Sequence, residues 1–175
     1  MRFSPVAIGL SLMLATLSSS GFTQKPDSQI DARSAALTAQ ADTARIAGKL
    51  SIAQDLYETA LAVDPRNRGA FIGLAEVARK QQLPGKAIRL YFESLAIEPN
   101  DPVALGGQGE AMVEKGAVER AKLNLARVRS LCKVECKPAT ELASAIAKGP
   151  PPAVMTAQAN TVVPPKGDED AKSKP

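Results

Sequence analysis

Between residues 29 and 148, apolar or small side chains recur at steps of three and four, a spacing that gathers them on one face of a helix. Phe71, Leu74, Ala75 and Ala78 form one such face, and Ala87, Ile88, Tyr91 and Leu95 form the next. The pattern predicts helices near 29–47, 50–63, 68–81, 84–97, 102–115 and 117–131, with a shorter one at 138–148. Breakers fall between them: Gly48, Leu83-Pro84-Gly85 and Gly116 separate the two helices of each pair. Pro65 and Pro99 end the second helix of a pair, because the residue before proline is pushed out of the α region. Pro84 fits the first turn of its helix, where its missing N–H is not needed.

The same sequence matches itself when shifted by 34 residues. Ala53, Ala87 and Ala121 form one series, Tyr57, Tyr91 and Leu125 a second, and Ala41, Ala75 and Gly109 a third. Asp64-Pro65 and Glu98-Pro99 share the interval, and the third register falls on Cys132-Lys133. Small residues let helices approach, and the Tyr or Leu one turn later fills the space between units. Period and small-large alternation therefore describe one packing solution used three times.

Leu37, Ala41, Gly48, Ala53, Tyr57, Ala60 and Pro65, followed by Phe71, Leu74, Ala75, Ala87, Tyr91 and Pro99, make the chain resemble the tetratricopeptide repeat family. The resemblance covers about 100 residues, Ser34 to Leu131, and is weaker in the third unit, which lacks the closing proline. It implies an all-α fold: three helix-turn-helix repeats at 34–67, 68–101 and 102–135, stacked as a short right-handed solenoid. Three units are near the minimum for such a stack, and the stretch 138–148 suits a cap over its last face.

The resemblance also implies that the first helix of each unit lines a concave groove for a peptide or partner protein, with no chemistry attached. Positions facing it would be Thr38, Asp42, Arg45 and Ile46, then Ile72, Glu76, Arg79 and Lys80, then Gly106, Glu110, Val113 and Glu114. Asp42, Glu76 and Glu110 share the repeat register, as do Arg45 and Arg79, so an acidic stripe edged by cations is expected. Such a stripe would contact a basic or mixed-charge extended segment. Alternatively, Asp42 with Arg45 and Glu76 with Arg79 are ordinary i,i+3 pairs, each contributing a few tenths of a kcal/mol, roughly 0.2–0.5. The family's carboxylate-clamp subgroup, which uses Lys, Asn and Arg, is not matched at these places.

Composition narrows the function classes. Among 175 residues there is no Trp and no His, and the formal charge is +4 with both signs interspersed. Lacking His, the chain lacks the commonest general base and metal ligand near neutral pH. No basic run marks a nucleic-acid footprint, and no nucleophile has a base or orienting partner in view. We expect no catalytic residue, cofactor or metal, and a protein or peptide as the partner. Gly106-Gly107-Gln108-Gly109 lacks the Lys-Ser or Lys-Thr and the preceding strand of a phosphate loop. Those glycines lower helix propensity by up to about 1 kcal/mol each, which predicts that the third unit is the softest.

Cys132 and Cys136 are the only cysteines. A bridge between them requires the helix to end between the two, and would pin the cap to the third unit with roughly 2 kcal/mol. The spacing is not that of a redox Cys-x-x-Cys motif, and two thiols alone leave a zinc site half built. At the N-terminus, Arg2, an apolar run of about 12 residues from Val6 to Leu17, and Ser18-Ser19-Ser20 have the layout of a secretory signal. We expect a signal peptide at 1–20, cleavage after Ser20 that leaves no stable membrane anchor, a linker at 21–28, and a periplasmic or secreted protein. From Gly149 the Pro-rich, mixed-charge sequence predicts a disordered tail at 149–175, an alternative site of partner contact.

Overall fold

A computed structural model describes residues 30–132, 134 and 136–152. The expected signal peptide, the linker and nearly all of the tail lie outside the described residues. Among those described there are seven helices: α1 Ala32–Ile46, α2 Leu50–Val63, α3 Arg68–Lys80, α4 Pro84–Ile97, α5 Pro102–Glu114, α6 Val118–Leu131 and α7 Lys137–Lys148. The first begins later than the apolar pattern predicts. Asp31 caps it, its carboxylate accepting from the backbone N–H groups of Arg33 (2.8 Å) and Ser34 (3.3 Å).

Consecutive helices pair as hairpins, α1 with α2, α3 with α4 and α5 with α6, and the hairpins stack through α2–α3 and α4–α5 contacts. The first helices also touch one another in order along one side, α1 to α3, α3 to α5 and α5 to α7. This is the all-α repeat stack the period predicts. Ala53, Ala87 and Ala121 are completely buried, and Tyr57, Tyr91 and Leu125 nearly so. The core is a chain of three neighbouring clusters, centred on Tyr57, Tyr91 and Leu125 with Leu142.

The turns obey the register more strictly than their sequences do. Gly48 and Gly116 have φ of +75° and +85°, and the equivalent position in the second hairpin is Gln82, at φ 60°. The breaker signal at Leu83-Pro84-Gly85 marks the right turn, and Pro84 opens α4 as expected, while the residue with positive φ is Gln82, just before it. Between units the backbone is extended at Asp64 (ψ 102°) and Glu98 (ψ 94°), as a following proline demands. Cys132 takes the same extended conformation (ψ 119°) without one. In its place Cys132 is disulfide-bonded to Cys136, the N-cap residue of α7, across a Cα–Cα distance of 6.2 Å.

The glycines of α5 are contact points rather than loose links. A Cβ on Gly107 would collide with the phenol of Tyr91, and one on Gly73, 34 residues earlier, with the phenol of Tyr57. A Cβ on Gly106 would meet Pro138 at 2.9 Å, and one on Gly109 would meet Leu142 at 2.6 Å. Their absence lets α7 lie close on α5. Ala143 continues the series Ala41, Ala75, Gly109, so α7 has the register of a first helix in an incomplete fourth unit.

Candidate functional site

The side lined by α1, α3 and α5 forms an open cleft of about 540 Å³, walled at one end by Lys137, Pro138 and Glu141 of α7. Six of the seven charged positions expected there border it: Arg45, Glu76, Arg79, Lys80, Glu110 and Glu114. Asp42 lies beside them, in contact with Arg45. Three other expected lining positions do not face the cleft freely. Val113 is buried, Gly106 is covered by Pro138, and Ile72 packs against the second core cluster.

The charges are not a free acidic stripe. Arg45 of α1 reaches across to Glu76 of α3, Nη1 to Oε2 at 2.5 Å, while its Nη2 holds Asp42 at 3.3 Å. One unit on, Arg79 of α3 reaches Glu110 and Glu114 of α5 at 2.6 and 2.7 Å. Asp42 with Arg45 is thus an i,i+3 pair as expected. The second arginine instead sends its guanidinium forward to the next unit. The result is a ladder in which each arginine ties its own helix to the following first helix.

Tyrosine hydroxyls anchor the rungs. Tyr57 donates to Asp42 Oδ1 at 2.6 Å and accepts from Arg45 Nε at 3.1 Å. Tyr91 lies close enough to Arg79 for the guanidinium charge to act on its hydroxyl. Burial raises both phenols above their ordinary range, most strongly among the causes, so each stays a neutral donor at physiological pH. Burial by itself would weaken the charge on Arg45, but the Tyr57 hydrogen bond and Glu76 outweigh it and hold it firmly cationic. Glu76 is shifted upward by burial, with Asp42 adding to the shift and Arg45, Arg79 and Lys80 opposing it.

Each Tyr ring therefore does two things. Its hydroxyl end seats on the glycine of the next first helix, Gly73 or Gly107, and lies beside the arginine that pairs with an acid three residues beyond that glycine, with a hydrogen bond from Arg45 in the case of Tyr57. Sequence reasoning found Tyr57 and Tyr91 as spacers and missed the hydroxyls. The signal was present, because Gly73 and Gly107 recur at the same 34-residue interval as the tyrosines. In the third unit the device is absent on both sides: Leu125 replaces the tyrosine and Glu141 the glycine.

The cleft keeps two cations at its rim. Lys80 is exposed and has no ion pair with a described residue, and Lys137 is held only by Glu141 at 3.6 Å. Among the described residues no group of three His, Cys, Asp or Glu side chains is arranged to hold a metal ion. None of their helices is long and apolar enough to cross a membrane.

No protein-family model matches the sequence, and no curated protein does either. Solved structures do match. The first tetratricopeptide repeat domain of Spaghetti (RPAP3), bound to the HSP90 peptide SRMEEVD, superposes with a TM-score of 0.60 at 21% identity, covering 66% of this chain and 91% of that one. The Yersinia enterocolitica type III secretion chaperone SycD, in complex with a peptide of the translocator YopD, gives 0.59 at 17% identity over 71% and 93%. The Sgt2 repeat domain from Aspergillus fumigatus gives 0.63 at 17% over 81% and 92%. The fold of this chain is that of tetratricopeptide repeat domains.

Proposed function

We propose that this chain is a non-catalytic adaptor or scaffold of the cell envelope, periplasmic or secreted, that binds an extended segment of a partner protein in its concave cleft. The observation that carries this reading is the cleft itself, open along three stacked first helices and bounded at one end by α7. Its floor is set rigidly by the arginine ladder, so a partner meets a preformed surface and loses less freedom of the receptor on binding. Two of the similar folds were solved with a bound peptide, which supports a peptide segment as the partner by analogy of fold. Export is supported by the Cys132–Cys136 disulfide, which persists in oxidising compartments, together with the signal-like N-terminus.

The ladder, with Lys80 at its rim, supplies the partner-binding residues of this reading: Asp42, Arg45, Glu76, Arg79, Lys80, Glu110 and Glu114. Crosslinking in intact cells followed by capture of the mature chain tests it. The unaltered chain should retain a partner, and the double variant Glu76→Gln, Glu110→Gln should bind it more weakly and with less salt dependence, since two of the charges that shape the floor are gone. Equal affinity and equal salt dependence in the variant would remove the ladder from the binding site.

A further inference from the structure

A second cleft lies away from the concave side, between the second hairpin and the third. Leu83, Pro84 and Ile88 of the α4 end meet Met112 and Ala117 there, giving an apolar floor in a cavity of about 890 Å³. Every charged residue on its walls is basic: Lys86 and Arg89 from α4, Lys115 after α5, and Arg120 from α6. None of the four side chains forms an ion pair or hydrogen bond with a described residue. Ile88, Arg89, Met112 and Arg120 also line an adjoining cleft whose rim carries Phe92 and Leu123, 63% and 72% exposed. The two run together into one apolar channel whose border carries four cations and a single acid, Glu93, at the far side.

This border is costly as it stands. Lys86 and Arg120 occupy the first turns of α4 and α6, where the helix dipole disfavours cations. Neither helix has a side-chain cap; α6 does carry one first-turn acid, Glu119, but Lys122 pairs with it, and Lys115 Nζ lies near Gly85 in the first turn of α4. Like charges gathered over exposed apolar surface call for an anionic, partly apolar occupant.

The sequence contains one segment of that composition. Asp168-Glu169-Asp170 is the only run of consecutive acidic residues in the chain, and it follows Val162-Val163-Pro164-Pro165. The described chain ends at Pro152, after α7, whose Ile146 packs on the cluster that holds Met112, Ile88 and Ala117. The tail therefore leaves close to the cleft. Nine residues lie between Pro152 and Val162, and these ten steps give an extended reach of up to roughly 35 Å, longer than the whole of α4 at about 21 Å.

We propose that the C-terminal segment 162–170 docks back on its own repeat domain, its valines and prolines over Ile88, Met112 and Phe92 and its acidic triplet among Lys86, Arg89, Lys115 and Arg120. The docked tail covers the largest exposed apolar side chains of the second and third units and neutralises the cations at two helix starts. The concave cleft stays free for a partner, so this inference stands apart from the proposed function.

Two-dimensional NMR of the full chain tests it, comparing the unaltered protein with the triple variant D168K/E169K/D170K. The amide signals of Lys86, Ile88, Arg89, Lys115 and Arg120 should shift in the variant, and raised salt should move them the same way in the unaltered chain. The difference should survive tenfold dilution. A second variant, R89E/R120E, alters only exposed side chains and should produce the same shifts, while combining it with the triple variant should restore the original positions. Unchanged signals overturn the proposal, as do shifts confined to Arg45, Arg79 and Lys80 on the concave side. A difference lost on dilution places the tail on a second copy and overturns docking within one chain.

Discussion

The hydroxyl end of Tyr91 lies against Gly107 in the space that a side chain there would fill, so the ring of one unit and the bare backbone of the next form a single joint. Replacing Gly107 with Ala tests how much the joint matters. Alanine would gain up to about 1 kcal/mol of helix propensity, yet its methyl must displace the phenol, and overpacking of this kind costs about 1–3 kcal/mol. We expect G107A to lower stability by about 2 kcal/mol in urea unfolding. Adding Tyr91→Leu, the residue type at the equivalent Leu125, should recover part of that loss, so the double variant is more stable than the sum of the two single changes. A fully additive cycle would show that ring and glycine do not meet.

A simpler gain is available at the second turn. Gln82 adopts φ 60° where Gly48 and Gly116 occupy the same register, and the left-handed region costs a side-chain-bearing residue roughly 1–2 kcal/mol. Gln82→Gly should raise the melting temperature by a few degrees, less the entropy glycine adds to the unfolded chain. Gly116→Ala should do the opposite. Calorimetry of the two variants beside the unaltered chain gives the comparison.

The architecture was legible in the sequence because it is written redundantly. Alanine, tyrosine and proline series share one interval, and any one of them places the hairpins. What stayed hidden involved residues read singly. In sequence Gly107 is a helix-propensity penalty, a local quantity, although its value lies in the ring that Tyr91 sets on it from another helix. Spacing alone pairs Arg79 with Glu76 at i,i+3, whereas its nearest carboxylates are on the next first helix, at Glu110 and Glu114. Gln82 carries no turn signature; only its register with two glycines predicts its backbone, and tertiary packing enforces it.

The ladder makes its own prediction. Arg79→Met removes the cation shared by Glu110 and Glu114 and leaves two half-buried carboxylates without it, so the loss should be about 2–3 kcal/mol. Arg45→Met should cost less, since Asp42 keeps the Tyr57 hydroxyl. For the cross-unit pair, a cycle of Arg45→Met and Glu76→Gln should give a coupling near 1 kcal/mol that shrinks in high salt. A coupling of zero would reduce the ladder to coincident surface charges.

Acid should reveal the environment of Glu76. Its folded pKa lies above the unfolded value of 4.5, chiefly from burial, so the folded state binds its proton first as the pH falls. The contribution of this group to stability is therefore smallest at neutral pH, grows as the pH drops through the folded pKa, and is complete below the unfolded one. Denaturant unfolding of the unaltered chain and of Glu76→Gln across that window should show the difference moving in favour of the unaltered chain on acidification. Movement in the opposite sense would mean that the attraction of Arg45 outweighs burial.

Reduction of the disulfide separates the cap from the stack. The bridge joins the end of α6 to the start of α7, and α7 is otherwise held by Pro138 on Gly106, Leu142 on Gly109 and contacts with α6. By loop entropy the short ring contributes roughly 2 kcal/mol, and the remaining contacts bury Leu142 completely. Cys132→Ser with Cys136→Ser should therefore lower stability by about 2 kcal/mol without unfolding the chain. Hydrogen exchange should then speed up in α7 and in the α5 turns beneath it, and leave α1 and α2 at their former rates. Those rates also decide how soft the third unit is: if α5 amides in the oxidised chain exchange as slowly as those of α3, its glycines have been fully compensated by the side chains seated on them.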